Sequence, residues 1–429
     1  LPEYHDKVEF EIVHSCHTFG ISEKIHGLTD FGFSLLDLEQ LKTTLLQLTN
    51  QIIDPETGLW RNDWNRLRTL EIRRREISQS DLDIVSKIHW LLEDCRRYGT
   101  LPFAGLARCG FVARQLLDSM TGAGILEPPR ATEFLASLRT VNGRLLEAHG
   151  TVDRETFLSE FGHLRPGTYE ITTNRYDESP DDFFDFTRMP ALRPEVNKDF
   201  VLTSTEERLL QERMTIEGLN GNSQSLLEFL RAGIELREAA KFKFTRNVSD
   251  LLVLLAKWGQ NLGLSRDDMS YVTIDCVKQA MTSSVDQQKL LISASQQGRD
   301  SHQECLAVWL PALITTPDQV YAFQISDDEA NFVTQQSVVA ATALPDTATE
   351  VGGKIALIPN ADPGFDWLFA AGIVGLVTAY GGVNSHMAIR AYEHGLPSAI
   401  GVGERRFNRL VQASRLLLDC GSRRIEVIE

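Results

Sequence analysis

The feature that most restricts the fold is a change of hydrophobic period near residue 320. Before it, apolar residues recur every three or four positions, the spacing of a helix that buries one stripe. LLDLEQLKTTLLQLTNQII at 35–53 shows this spacing, and DPETG at 54–58 closes it as a turn. Further helices are predicted over 61–75, from Ser80 as N-cap to Tyr98, over 105–121, over 130–148 after Pro128 and Pro129, and over 153–161. VEFEIV at 8–13 reads as extended, and the rhythm breaks across 162–200, which holds the acidic aromatic stretch DDFFDF and Pro180, Pro190 and Pro194. Capping patterns at Ser204/Glu207 and Ser225/Glu228 predict helices over 204–217 and 225–260, SRDD at 265–268 starts another, and 285–309 reads as helical.

Beyond residue 320 the runs VYAFQI, FVTQQSVVAA, KIALIPN, GIVGLVT, PSAIGV and RIEVIE alternate with helical signals at 363–371, 386–394 and 404–414. Strands alternating with short helices describe a small α/β domain. The expected fold class is therefore multidomain α and α/β, with a mostly helical domain over 1–325 and a small domain over 326–429.

Charge and composition remove several function classes. The net charge is −16 and no Lys/Arg cluster persists, which argues against an extended nucleic-acid surface. No apolar run reaches membrane-spanning length, since LLVLLAKW at 251–258 is interrupted by Lys257. The six cysteines are scattered without a CxxC pair, which disfavours zinc sites and disulfides and leads to the expectation of a cytoplasmic protein. His5, His14 and His17 lack partner carboxylates at ligand spacing, so no metal site is expected.

The most informative local stretch is GLVTAYGGVNSHMAIRAYEHGLPSAIGVG at 375–403. An apolar strand leads into Gly381 and Gly382, Asn384 or Ser385 can cap the helix that follows, and Gly395 and Pro397 end it. His386 then lies in the first helical turn, near free backbone N–H groups and the positive end of the dipole. A neutral imidazole there is a usable nucleophile toward phosphorus, although a histidine near a helix start is by itself more often structural.

These residues resemble the phosphohistidine, or swivelling, domain of phosphoenolpyruvate-utilising enzymes. The matching positions are Gly381, Gly382, Ser385, His386, Ala388, Ile389, Gly395, Leu396, Pro397 and Gly401. The resemblance implies a β/β/α swivelling domain in which His386 is phosphorylated, with Gly381, Gly382, Asn384 and Ser385 forming its loop.

A second patch, FGHLRPGTYEITTNRYDE at 161–178, gathers His163, Arg165, Tyr169 and Arg175. Guanidinium groups bind phosphate or carboxylate bidentately and His163 can move a proton, while the alternative is that both arginines pair with Glu170, Asp177 or Glu178 across a turn. The patch resembles the GHR…E…PR-W/Y-x-E segment of dikinase-like phosphotransferases such as rifampin phosphotransferase, with Asn174 where Pro stands in that pattern. HDKVEFEIVHSCHTF and ELREAAKFKFTRNVSDLL look closest to a subgroup linked to surface-polysaccharide modification, which includes the L-glutamine kinase of capsular phosphoramidate synthesis. Glu235, Arg237, Lys241 and Arg246 read as a solvated helix face, with an anion pocket as the alternative.

The resemblance implies an ATP-dependent dikinase-type phosphotransferase needing Mg2+. ATP phosphorylates His386 with release of AMP and phosphate, and a small acceptor, L-glutamine through its amide nitrogen, takes the phosphoryl group. His163, Arg165, Tyr169 and Arg175 form the acceptor site in this reading. Alternatives are a kinase for an antibiotic hydroxyl or a pyruvate-like acid, or a phosphocarrier without acceptor chemistry. No Gly-rich phosphate loop precedes a Lys and the chain begins with Leu1, so an N-terminal ATP-binding domain is expected to be missing here, with no ATP turnover by this chain alone.

Overall fold

The structure is a computed structural model that describes residues 14–184, 186, 199–282, 284–308, 314, 316–321, 330–345, 351–382 and 385–428. The expected extended run at 8–13, His5, Asn384, the expected boundary at 325/326 and most of VYAFQI lie outside these residues.

Helices of seven or more residues are labelled here. In the N-terminal part they are α1 (Leu35–Ile53), α2 (Leu59–Gln79), α3 (Ile84–Asp94), α4 (Leu101–Gly122), α5 (Pro128–Ala136), α6 (Val141–Thr151), α7 (Arg154–Phe161), α8 (Ser204–Glu217), α9 (Ser223–Asn261), α10 (Ile274–Thr282) and α11 (Gln287–Leu306). Their boundaries depart from the periodicity in instructive ways. Ser80 ends α2 and Asp83 caps α3 instead, its carboxylate accepting from the Val85 and Ser86 amides at 3.0 Å. Thr203 with Glu206 caps α8, and Asn222 with Ser225 caps α9. Where several Ser, Thr, Asp and Asn stand together, the cap goes to the one in extended backbone with its acceptor aimed at the N3 amide, which composition does not reveal. The predicted helix over 130–148 is two helices, with Thr140 capping the second. The gap expected between 98 and 105 is a π-helical turn, Cys95–Thr100, leading into α4. Pro102 in the first turn of α4 has no amide to continue the tighter ladder, which accounts for the looser turn.

The central member is α9, 39 residues and roughly 60 Å long. One stripe, with Leu226, Phe229 and Leu230, enters a core shared with Leu106, Val112 and Leu116 of α4. Further along, Leu251 and Trp258 enter a second core with Ile88 and Leu91 of α3. Asn247, which reads as part of a glycosylation sequon, is fully buried and donates to the Leu91 carbonyl at 3.0 Å.

The C-terminal part is a seven-stranded mixed sheet in the order β1-β5-β4-β3-β2-β6-β7. Its strands are β1 (Asn331–Val333), β2 (Ser337–Ala343), β3 (Ile355–Asn360), β4 (Gly375–Tyr380), β5 (Ser398–Ile400), β6 (Arg415–Asp419) and β7 (Arg424–Val427). β2 to β5 are parallel neighbours, and β1, β6 and β7 extend the sheet antiparallel. The inner strands read as unbroken apolar runs because both faces are covered. One face, with Ile355, Leu357, Val377 and Ala379, packs under α13 (Glu404–Leu410). The other, with Ala356, Ile358 and Leu376, carries α12 (His386–Glu393) and a four-residue helix at Trp367–Ala370, shorter than the helix expected over 363–371. That second face is continuous with Phe157, Phe161, Tyr176 and Phe183 of the helical part, so the two parts share one apolar core.

Candidate phosphohistidine site

Local structure delivers His386 as the sequence suggests. β4 ends at Tyr380, the chain turns at Gly381 and Gly382, the Ser385 amide donates to the Gly382 carbonyl at 3.0 Å, and His386 opens α12 with Ser385 as N-cap. Gly381 and Gly401 stand where the backbone passes close to other segments. A Cβ on Gly401, at φ 72°, would stand 2.3 Å from the Gly381 carbonyl oxygen, and one on Gly381 would stand 2.7 Å from the Ala361 Cβ. The Ser385 hydroxyl is buried without a hydrogen-bond partner among the described residues, although its backbone has the N-cap conformation.

The partner of His386 is Asp366, at the turn before Trp367. His386 Nε2 lies 2.8 Å from both carboxylate oxygens of Asp366, which is itself 5% exposed. The charge of Glu238 of α9, in the helical part, also acts on His386. Burial of His386 disfavours its charged form, yet the Asp366 charge and hydrogen bond and the Glu238 charge outweigh that burial and the opposing Arg390, so its pKa is raised. Burial also raises the Glu238 pKa, opposed by His386 and by the Val141 amide that donates to its carboxylate at 3.1 Å. His386 thus sits at the seam between the two parts of the chain, in a carboxylate environment that favours the imidazolium.

The patch at 161–178 forms the other side of this seam. Tyr176 is buried and its hydroxyl donates to the Gly364 carbonyl at 2.9 Å, while Thr168 donates to Asp362 at 2.9 Å. A Cβ on Gly364 would stand 2.4 Å from the Arg165 carbonyl oxygen, so the two backbones nearly touch there. The guanidinium of Arg165, 3% exposed, donates to the carbonyls of Glu170, Thr173 and Ser249 and to the Ser249 hydroxyl. Arg175 is held by Asp177 and by Asp250, the latter at 2.8 Å. Tyr169 is 56% exposed. His163 is buried, and its Nδ1 accepts from Arg246 Nε at 3.2 Å. Burial, with the Arg246 and Arg175 charges, holds its pKa well below the ordinary value, so it is neutral with its proton on Nε2.

A cavity of about 450 Å³ opens beside this seam, between α2, α6, α7 and α9. Val141 and Phe242 line it and also pack against the core shared with the sheet domain. Glu235 and Arg246 of α9 face it, whereas Arg237, from the same run of charges, lies over the Phe111 ring at 5.1 Å. Asp366, Glu238 and the cationic lining from Arg74, Arg139, Arg144 and Lys243 are absent from the sequence-based site. Only the α9 residues left a trace, since 235, 239, 242, 243 and 246 fall on one helical face.

Among the described residues no cluster of three or more His, Cys, Asp or Glu fits a metal ion, and no helix is long and apolar enough to cross a membrane.

Residues 351–423 match the family model described as PEP-utilising enzyme, mobile domain. The match covers β3 to β6 and includes both Asp366 and His386. It supports the PEP-utilising family for this part of the chain and, with it, phosphotransfer through a phosphohistidine. No curated protein matches the chain.

Proposed function

We propose that His386 carries a phosphoryl group from ATP to a small acceptor bound by the helical part of the chain, with the amide nitrogen of L-glutamine as that acceptor. The observation that carries this reading is the position of His386, at the head of α12 and on the face of the sheet that shares a core with the helical part, with its Nε2 on Asp366.

In the transfer step the acceptor attacks phosphorus, its new bond to phosphorus forms, and the bond from phosphorus to the imidazole nitrogen breaks. With the phosphohistidine ring protonated on its other nitrogen, the imidazole leaves neutral and then takes the proton lost by the acceptor. Asp366 and Glu238 stabilise the cationic ring before and after transfer, which makes His386 a better leaving group and a place for that proton. Glu238 resists ionisation through burial and is relieved by a cationic His386, so the two charges support each other only while the domains are docked. Magnesium, when bound with the nucleotide, would neutralise phosphate charge.

Arg165 and Arg175 serve this reading by holding the loop that receives the sheet domain, because the terminal nitrogens of Arg165 and the donors of Arg175 are engaged by protein oxygens. His163 acts through Arg246. Tyr169, exposed on the same loop, remains available to an acceptor.

The test is chemical phosphorylation of the chain with phosphoramidate, which does not require a nucleotide site. The expected product carries one acid-labile, base-stable phosphoryl group, absent from His386→Ala, that moves to L-glutamine as followed by phosphorus NMR. Phosphorylation undiminished in His386→Ala would overturn the carrier assignment. A stable phospho-His386 indifferent to L-glutamine would overturn the acceptor.

A further inference from the structure

The cavity beside the seam has an uneven charge balance. Three carboxylates line it, and each is engaged. Glu71 accepts from Lys243 at 3.0 Å, Glu160 from Arg144 at 3.0 Å, and Glu235 from the Arg139 backbone amide at 2.8 Å with Arg231 at 4.0 Å. Among the five lining cations, Arg74 is paired as well, with Asp250 at 2.7 Å. Two guanidinium groups have no carboxylate. Arg139 has no side-chain partner among the described residues, and Arg246 rests on the Ser159 and Glu160 carbonyls and on neutral His163.

Arg246 is the more informative of the two. It is partly buried, and burial together with the nearby Arg74 charge pushes its pKa down. Asp250 and Glu71 act on it only from a distance and neither pairs with it, so an incoming anion would offset part of the cost of its burial. Its Nε is fixed by His163 and one terminal nitrogen by the end of α7, which sets the plane of the fork. The other terminal nitrogen, Nη1, has no partner among the described residues and is left to donate to an oxygen of a bound anion.

We propose that this cavity binds the oxyanion of a small molecule, a carboxylate or a phosphate, between Arg139 and Arg246. His163 is a positioning residue that orients Arg246, and the bound group lies against the face of α9 that carries Glu235, Ala239, Phe242 and Arg246. The inference rests on the phosphotransfer reading only in calling this molecule the acceptor; binding itself does not require His386. A cavity of about 450 Å³ suits a metabolite-sized ligand.

Titration calorimetry of the whole chain with inorganic phosphate, pyrophosphate, L-glutamine and the α-carboxamide of L-glutamine tests the site and separates the two oxyanion sources. Saturable binding of L-glutamine but not of its carboxamide identifies a carboxylate site, and binding of phosphate or pyrophosphate a phosphate site. In either case Arg139→Ala, whose side chain has no hydrogen-bond or ion-pair partner among the described residues, weakens binding by roughly tenfold or more. His163→Ala weakens binding while the chain keeps its helical circular dichroism, and His386→Ala binds as the parent does. No saturable binding by any probe, or affinity unchanged in Arg139→Ala, overturns the inference. Binding that persists when His386 cannot be phosphorylated removes the transfer reading and leaves this site. Phosphorylation of His386 without oxyanion binding does the reverse.

Discussion

Replacing Asp366 by Asn tests the charge balance at His386. The amide keeps the shape and a hydrogen-bonding oxygen but removes the charge that lies 2.8 Å from Nε2. An opposite charge at such a distance favours the charged form by about one to three pKa units, each worth about 1.4 kcal/mol. In the parent the His386 pKa lies above its ordinary 6.5. Its contribution to folding is therefore fully present below pH 6.5 and is lost as pH rises through the raised value. Burial opposes the charged form, and in Asp366→Asn the Glu238 charge still favours it while Arg390 acts against it. The His386 pKa should then fall by about one to three units. The assay is NMR titration of the imidazole resonances, with His386→Gln identifying the signal, alongside thermal melts across the same pH range. The parent should lose stability as pH rises through the His386 titration, and Asp366→Asn should not. A His386 resonance titrating within a few tenths of a unit in both proteins would refute the argument.

Three further outcomes follow from particular contacts. Tyr176→Phe leaves the buried Gly364 carbonyl without its donor, so it should cost about 1–3 kcal/mol in urea unfolding, with faster amide exchange across the 362–366 turn. Gly401→Ala combines a left-handed φ of 72° with a Cβ 2.3 Å from the Gly381 carbonyl; it should destabilise the chain by about 2 kcal/mol or more in a thermal melt, and cut His386 phosphorylation by displacing the loop. Arg165→Ala strips the donors from three carbonyls and a hydroxyl, so its expected loss is in stability, about 2–4 kcal/mol by denaturant unfolding, with any ligand-binding defect appearing only alongside it.

The sequence by itself determined what depends on near neighbours. Hydrophobic period separated a helical part from an α/β part, and strand, paired glycines and helix stop placed His386 at the head of α12. Those signals are local, because a helix or strand is defined by residues a few positions apart. Caps were legible only approximately, since Ser80 against Asp83, or Ser204 against Thr203, turns on backbone angles that composition does not specify. The alternative of arginines paired across a turn was legible at 161–178, and Arg175 with Asp177 realises it, yet the use of Arg165 as a brace for carbonyls was not.

What only the tertiary structure decided is which groups face one another. Asp366 was hidden in DPGFDWLF because a carboxylate in a turn looks like any other until β3, β4 and α12 bring it onto Nε2. Glu238 and Arg246 lay within a helix that reads equally well as a solvated face, and α9 became a wall of the site only when α2, α6 and the sheet domain closed around it. Periodicity states that a helix has a face to bury but carries no term for what arrives against it. The charge environment of His386 depends on that arrival, because the cost of burying a charge and the gain from pairing it are set by groups far away in the chain.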